Sequence, residues 1–250
     1  MVRVRRTTSM IGLEIRRLLY TSVMIMAVPF RLMLSIALAV SLVGCGSKEE
    51  APAPSAKAVE QPSAAVDSRP VIACFGDSLS AGFGLDPGKS YPDVLQEILD
   101  DAGYRYHVVN LGVSGDTTTD GVERLSSVLA VKPAVVVLEF GGNDGLRGLP
   151  VAASEKNLGI ITEALQKSGA KVVLAGMSLP LNYGTEYIHS FERIFVNVAN
   201  QYKLVRIPFL LEGVGGHANL VQQDGIHPTV EGTQIVAHTV AKYIQPLLSK

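Results

Sequence analysis

Two kinds of apolar pattern alternate along residues 70–250. Short continuous apolar runs, which are typical of strands buried on both faces, occur at 71–75, 106–110, 134–140, 171–176 and 204–209. Longer runs with apolar residues at helical spacing predict helices near 91–102, 117–131, 152–168, 186–201 and 229–248. This alternation predicts one domain of the α/β class, a three-layer α/β/α sandwich with a five-stranded parallel sheet.

Residues 1–44 follow a different pattern. They hold six of the 22 basic residues and one of the 23 acidic residues, and the uncharged run Leu32–Val43 follows Arg31. This layout is typical of a secretory signal peptide, and the run is too short to span a bilayer, which takes about 20 residues. A single span over Leu18–Gly44 is the alternative. It would bury Arg31 at an estimated ~2.5–3.5 kcal/mol, so we favour the signal peptide.

The predicted signal ends in Leu42–Cys45, "LVGC", which resembles the bacterial lipobox. The resemblance implies that the signal is cut before Cys45 and that this cysteine carries lipid, which would anchor the protein in the bacterial cell envelope. The residue after Cys45 is Gly46 and not Asp. If the source is Gram-negative, this resembles the pattern of lipoproteins sorted to the outer membrane. The alternative is that Cys45 is a small apolar residue at the end of a membrane segment.

Residues 45–69 are rich in Ala, Pro and Ser and have no apolar periodicity. We interpret them as the lipidated cysteine followed by a disordered tether. As a coil, a chain of this length separates its ends by about 25–30 Å. We therefore expect the domain at 70–250 to be held off the membrane and to move freely.

Charge and cysteine content bear on which molecules the protein can bind and on whether it can form a disulfide. Without residues 1–44, 16 basic and 22 acidic residues remain, a net charge of −6, so nucleic acid is not expected as a partner. The two cysteines are Cys45 and Cys74. If Cys45 carries lipid, no internal disulfide is possible, and Cys74, within an apolar run, is interpreted as a buried small side chain.

Polar residues follow several of the predicted strands. In a parallel sheet the carboxyl ends of the strands share one edge, and ligands bind there. A serine, a glycine, an amide and an acid–histidine pair are expected at this edge. They are Ser78 in "GDSLS", Gly115 in "VSGDTT", Asn143 in "GGND", and Asp224 with His227 in "DGIHP".

This set of side chains can support nucleophilic catalysis. A serine hydroxyl becomes an effective nucleophile when a base takes its proton, and His227 can be that base. Asp224 lies three residues earlier and can orient the imidazole. The Ser78 N–H, the Gly115 N–H and the Asn143 side-chain amide are the candidate oxyanion donors.

Each of these residues also has a purely structural interpretation, as a helix cap or a turn residue, and it is their joint occurrence at one edge that favours catalysis. A second histidine, His189, also has an acid three residues before it, Glu186. That pair begins a predicted helix, where such spacing gives an ordinary surface pair. We therefore assign the base to His227.

Other catalytic patterns are absent from the sequence. The stretch starting at Gly76 has Ser80 where a G-x-S-x-G motif needs its last glycine. No HExxH, paired CxxC, G-x-x-x-x-G-K-[ST] or G-x-G-x-x-G motif occurs. We therefore expect no metal and no cofactor.

Together, "GDSLS", "GDTT", "GGND" and "DGIHP" resemble the four conserved blocks of the GDSL, or SGNH, hydrolases. "SLSAGFGL", "GGNDGLRG" and "LPLNYG" are similar to the bacterial arylesterase, thioesterase and lysophospholipase subfamily. The resemblance spans 70–250 and implies the flavodoxin-like SGNH sandwich. It also implies Ser78 as nucleophile, Asp224 and His227 as its partners, and Ser78, Gly115 and Asn143 as the oxyanion hole. In that subfamily the stretch matching Gly145, Leu146, Arg147 and Gly148 moves over the acyl chain; a plain surface turn is the alternative.

The sequence thus predicts a lipid-anchored serine esterase of the bacterial envelope. We expect it to hydrolyse small esters, acyl thioesters or lysophospholipids through an acyl-enzyme, as a monomer. An envelope carbohydrate O-deacetylase would use the same triad and is the alternative within enzymes. A non-catalytic envelope binding module that retains the fold is the alternative outside them.

Overall fold

A computed structural model describes residues 67–250. Five parallel strands form one sheet in the order β2-β1-β3-β4-β5. The strands are β1 (Val71–Gly76), β2 (His107–Gly112), β3 (Val135–Glu139), β4 (Lys171–Ala175) and β5 (Val205–Ile207). The predicted signal peptide, Cys45 and nearly all of the predicted tether lie outside the described residues.

Helices cover both faces of the sheet. They are α1 (Ser78–Ala81), α2 (Tyr91–Asp101), α3 (Thr118–Glu123), α4 (Leu125–Ala130), α5 (Gly142–Leu146), α6 (Val151–Lys167), α7 (Thr185–Tyr202) and α8 (Val230–Ile244). Helices α2 and α8 pack together, as do α6 and α7. The predicted α/β/α sandwich is confirmed.

The core lies between the sheet and these helices. Every residue of β3 is buried, and β1 is buried from Ile72 onward. Helices α6 and α7 contribute apolar side chains that are almost fully removed from water, such as Leu158 and Phe191. Apolar burial of this kind is the main stabilising contribution to a domain of this size. A rigid sheet then fixes the positions of the loops at its carboxyl edge.

The helix predicted over 117–131 is wrong in its continuity. The structure has two short helices, α3 and α4, which meet at Arg124, whose φ of −103° and ψ of 23° are not helical. The Arg124 guanidinium turns toward the sheet and donates to the carbonyls of Gly76 (2.6 Å) and Leu111 (2.8 Å) at the ends of β1 and β2. The break lets this side chain reach both strand ends.

Two further differences are local. The strand predicted over 204–209 is shorter, Val205–Ile207, because Pro208 has no N–H to donate to the sheet. Helices α1 and α5, of four and five residues, were not predicted because they are too short to show a periodic pattern. Within residues 67–250, no helix combines the length and the apolar composition that a membrane crossing requires.

Candidate active site

Ser78 is presented by a sharp turn between a strand and a helix. Strand β1 ends at Gly76, Asp77 caps the short helix α1, and Ser78 is its first residue. A Cβ at position 76 would lie 2.3 Å from Oε2 of Glu139 and 2.5 Å from its backbone oxygen. Only glycine fits so close an approach. The turn therefore brings the serine to the carboxyl edge of the sheet.

Ser78, His227 and Asp224 form one hydrogen-bonded chain. Nε2 of His227 lies 2.8 Å from Oγ of Ser78, and Nδ1 lies 2.6 Å from Oδ2 of Asp224. With Nδ1 protonated and donating to the carboxylate, Nε2 is left as an acceptor for the serine proton. The structure therefore brings these three predicted residues together in the order that base catalysis requires.

The loop that carries the histidine is held in place by backbone bonds. Oδ1 of Asp224 accepts from the N–H groups of Ile226 (2.9 Å) and His227 (3.0 Å). The Gln222 N–H donates to the His227 carbonyl at 2.7 Å. The ring of Phe83 lies 4.6 Å from the imidazole, centre to centre. The imidazole thus has little freedom to turn away from Ser78.

Asp224 is an ionised acceptor in this arrangement. Partial burial alone would raise its pKa, but the hydrogen bonds from the His227 ring and from the backbone N–H groups of Ile226 and His227 outweigh burial and lower the pKa below its ordinary value of 3.8. The carboxylate therefore stays charged at neutral pH and can stabilise an imidazolium.

The candidate oxyanion donors differ in how they are engaged. Within the described part of the chain, neither the Ser78 N–H nor the Gly115 N–H donates to a protein acceptor. Gly115 has φ +90°, a backbone conformation that residues other than glycine rarely adopt. Both N–H groups are therefore available to a substrate oxygen.

The Asn143 amide is held by two acceptors. Nδ2 donates to the Asp116 carbonyl at 2.9 Å and to Oδ2 of Asp77 at 3.2 Å. The longer contact is the weaker one, so it is the one a substrate oxygen can replace. Asp144, the next residue of helix α5, holds this helix in place, because its buried carboxylate accepts hydrogen bonds from Thr118 and Ser154.

The predicted substrate loop is only partly a loop. Gly145 and Leu146 end helix α5, and their carbonyls accept from Tyr187 (3.2 Å) and Tyr183 (2.8 Å). Two tyrosines from the region after β4 thus hold this segment in place by hydrogen bonds. Sequence patterns do not reveal these contacts.

The second half of this segment is exposed. Arg147 donates to the Gly115 carbonyl at 2.9 Å, and a Cβ at Gly148, whose φ is +65°, would meet no atom within 4 Å. The loop therefore touches the residue that carries a candidate oxyanion donor.

A cavity of about 820 Å³ reaches the loop that carries Asp224 and His227, although no triad side chain lines it. Gly225 and Ile226, which lie between Asp224 and His227 in the chain, form part of its wall. Most of the remaining wall comes from the segments that follow β4 and β5, including Leu179, Leu181, Val196 and Phe209. Its lining is largely apolar, with Glu192, Arg206 and Glu212 as its charged members, and the lining residue Leu181 is 91% exposed.

Two ionisable side chains at this site, Glu139 and Arg124, were not assigned from the sequence. Glu139 ends strand β3 and is fully buried under the Ser78 turn. Arg124 holds the ends of β1 and β2 together, and it also contacts Asp116. The available signal for Glu139 was a single acid in the apolar run 134–140, where a charge is expected only with a specific role.

Comparison with known proteins agrees with this arrangement. The sequence profile of the GDSL-like lipase/acylhydrolase family matches residues 74–235. The chain is 47% identical to esterase TesA of Pseudomonas aeruginosa over 174 residues, which cover 69% of this chain and 87% of that protein. It is 35% identical to thioesterase 1/protease 1/lysophospholipase L1 of Escherichia coli over 176 residues, 70% of this chain and 83% of that protein.

The crystal structure of TesA shares the fold, with a TM-score of 0.69 at 45% identity, over 71% of this chain and 99% of that one. The resemblance predicted from the four sequence blocks is therefore confirmed. The chain belongs to the GDSL-like lipase/acylhydrolase family, and it is an enzyme that hydrolyses ester bonds.

Proposed function

We propose that the protein is a serine esterase that works through an acyl-enzyme, with Ser78 as its nucleophile. Oγ of Ser78 bonds to the substrate carbonyl carbon while Nε2 of His227 takes the hydroxyl proton. The tetrahedral intermediate then breaks its bond to the leaving oxygen or sulfur, and the proton passes from His227 to the leaving group. Asp224 stabilises the imidazolium formed in between.

Water completes the cycle by the same steps. It attacks the acyl carbon as His227 takes one of its protons, and the proton returns to Oγ of Ser78 when the acid leaves. In both steps the negative carbonyl oxygen is stabilised by the N–H groups of Ser78 and Gly115 and by the Asn143 amide.

One observation carries this proposal. The Asp224–His227–Ser78 chain, with contacts of 2.6 and 2.8 Å, lies at the same edge of the sheet as two N–H groups that have no protein acceptor among the described residues. A binding module would need neither the aligned base nor the free donors. The arrangement thus favours catalysis over the binding-module alternative.

We propose carboxylic esters and thioesters with an apolar acyl group as the substrate class. The cavity beside Ile226 supports this choice, because a largely apolar cleft of about 820 Å³ suits a hydrocarbon chain better than a polysaccharide. The name of the Escherichia coli relative, thioesterase and lysophospholipase, agrees with such substrates. An acetyl group on a carbohydrate would leave most of the cavity empty.

A rate series tests the substrate class. Hydrolysis of nitrophenyl esters from acetyl to palmitoyl, of acyl-CoA and of lysophospholipid would be measured with wild type and with Ser78→Ala as background. We expect kcat/KM to rise with chain length beyond acetyl. Highest activity on acetyl esters or on an acetylated polysaccharide would instead support the deacetylase alternative.

The segment from Gly145 to Gly148 is proposed to close over the acyl chain. The bond from Arg147 to the Gly115 carbonyl links this segment to an oxyanion donor, so its position can affect both binding and chemistry. A Gly148→Pro variant cannot adopt the φ of +65° found at this position and loses the N–H that donates to the Gly145 carbonyl, so it changes the position of the segment. If chain-length preference in this variant equals that of wild type, the segment does not act as a lid.

We further propose that Cys45 carries lipid and anchors a monomeric enzyme in the bacterial cell envelope. The support is the position of "LVGC" directly after the apolar run Leu32–Val43. Labelling cells with a radioactive or alkyne fatty acid should mark the wild type and leave Cys45→Ala unmarked. Equal labelling of both chains would contradict the anchor, and hydrolysis by the variant should be unaffected.

A further inference from the structure

Glu139 lies directly beneath the proposed nucleophile. It is the last residue of β3, pairs in register with Gly76 at the end of β1, and has no exposed surface. Its side chain occupies the space that a side chain at Gly76 would need. An acid in so enclosed a position requires specific hydrogen bonds to be tolerated.

The Glu139 carboxyl binds the backbone on both sides of Ser78. Its Oε2 accepts from the N–H of Asp77 (3.0 Å), the N–H of Ser80 (3.3 Å) and the hydroxyl of Ser80 (2.8 Å). The Leu79 N–H donates to Asp77 at 3.1 Å. Among the N–H groups of residues 77–80, the Ser78 N–H is thus one that has no acceptor in the described part of the chain.

The surroundings of Glu139 favour its uncharged form. Burial raises its pKa well above the ordinary value of 4.5, and the neighbouring charge of Asp77 raises it further. The titratable groups that interact with it are Asp77 from the turn, Tyr91 from α2 and Cys74 from β1. Arg124, a cation at the same end of the sheet, bonds to the Gly76 carbonyl and not to Glu139. Its Oε1 is buried and accepts from no described residue.

We propose that Glu139 is a positioning residue that acts as a neutral acid, fixing the peptide units around Ser78 so that its N–H and hydroxyl both face the substrate. The inference rests on the proposed role of Ser78. Because Oε2 is the acceptor in all three contacts, an uncharged group with one carbonyl oxygen can satisfy them. A neutral acid that keeps Oε2 as the acceptor carries its proton on Oε1, for which no described residue is an acceptor.

Neutrality also matters for the charge that builds up in the reaction. Asp77 contacts both Asn143 (3.2 Å) and the Leu79 N–H (3.1 Å), so one acidic group already lies behind the proposed oxyanion hole. A second negative charge at Glu139 would oppose the developing charge on the substrate oxygen. The proton on Glu139 prevents this.

Two variants of similar size separate the role of the oxygen from the role of packing. Glu139→Gln keeps a carbonyl oxygen and is neutral, and Glu139→Met keeps the volume and has no oxygen. Val137→Ala is the matched control, because Val137 is also fully buried and lies on the same face of β3, two residues earlier. It measures what loss of core packing alone does to activity.

We expect Glu139→Gln to keep kcat within about threefold of wild type. Glu139→Met should lose about 10- to 100-fold in kcat with KM changed less than about threefold, because misplacement of a reacting group acts on the chemical step. Labelling of Ser78 by a fluorophosphonate should slow in parallel. Val137→Ala should lower Tm while keeping kcat per folded molecule.

The proposal is overturned if Glu139→Met keeps the kcat of wild type, or if Glu139→Gln loses as much as Glu139→Met. If Glu139→Met does not fold, Glu139→Gln decides alone, since a required negative charge would make it lose more than about tenfold. Failure of the proposed function is distinguishable, because it appears as near wild-type turnover by Ser78→Ala.

Discussion

Nε2 of His227 lies 2.8 Å from Oγ of Ser78, although 149 positions separate the two residues in the chain. Ser78 follows β1, an interior strand of the sheet, and His227 lies in the loop before α8. Only the completed sheet brings them together. Activity therefore depends on the folding of the whole domain.

Replacing Asp224 by Asn should lower kcat on the order of 10³- to 10⁴-fold. The amide cannot stabilise the imidazolium, and it can hold His227 in the wrong tautomer by donating to Nδ1. Steady-state kinetics on a nitrophenyl ester would measure the loss.

Glu186→Gln is the matched control for this change, since Glu186 also lies three residues before a histidine, His189, and both are exposed. It should keep wild-type kinetics. Similar losses in both variants would contradict the assignment of Asp224 as the specific partner of the catalytic histidine.

Asn143→Ala should reduce kcat by about 10²- to 10³-fold, or ~2.7–4 kcal/mol in the activation free energy, because a donor to the developing oxyanion is lost. KM should change little, since the ground-state carbonyl needs this donor less. Asn197→Ala, at an exposed position of α7, is the control with unchanged kcat. A change in KM alone at Asn143 would assign it to substrate binding instead.

Val196→Trp should shorten the range of accepted acyl chains. Val196 lines the cavity and is 38% exposed, so the larger ring fills the cavity without displacing the core. Rates on long acyl esters should fall while the rate on acetyl ester stays the same. Ile160→Trp, on α6 at the same 38% exposure, should leave both rates unchanged; equal effects would mean that acyl chains bind elsewhere.

Glu139→Gln should also change how stability depends on pH. The raised pKa of Glu139 means that the folded protein keeps a proton that the unfolded chain releases above about pH 4.5. The free energy of unfolding of wild type therefore falls as pH rises from there to the folded-state pKa, by up to ~1.4 kcal/mol per pH unit. The variant lacks this loss, so denaturant titrations should show its stability relative to wild type increasing with pH.

Other acids contribute to the pH dependence of both proteins. Burial also raises the pKa of Asp77, so this residue likewise lowers the free energy of unfolding as pH rises. The pKa of Asp224 is lowered, so the stability it contributes is lost as pH falls. Asp224 does not interact with Glu139, so its contribution cancels in the difference. Asp77 interacts directly with Glu139, so the difference between the two proteins reports on the Glu139–Asp77 pair. A constant difference between the two proteins across pH would show that Glu139 is ionised.

The sequence was enough to predict the sandwich and the edge of the sheet that carries the site. Continuous apolar runs are buried strands, and polar residues directly after them must lie at one edge. Ser78, Asn143 and His227 could be placed there for this reason. Sequence spacing could not reveal Glu139, because its bonds reach Asp77, 62 positions away.

The break at Arg124 illustrates a second limit. Apolar periodicity over 117–131 indicates one helix, whereas the side chain of Arg124 bonds to carbonyls 13 and 48 positions away. Those contacts stabilise a backbone conformation that local preference alone does not favour. Short helices such as α5 are likewise set by tertiary contacts with Tyr183 and Tyr187.

The most direct test of the account is to locate the covalent adduct of a fluorophosphonate by peptide mass spectrometry. Under turnover conditions we expect one adduct per chain, on the peptide that contains Ser78, with loss of esterase activity in proportion to labelling and no adduct in Ser78→Ala. An adduct on another serine, or full inhibition with Ser78 unmodified, would contradict the assignment of the nucleophile.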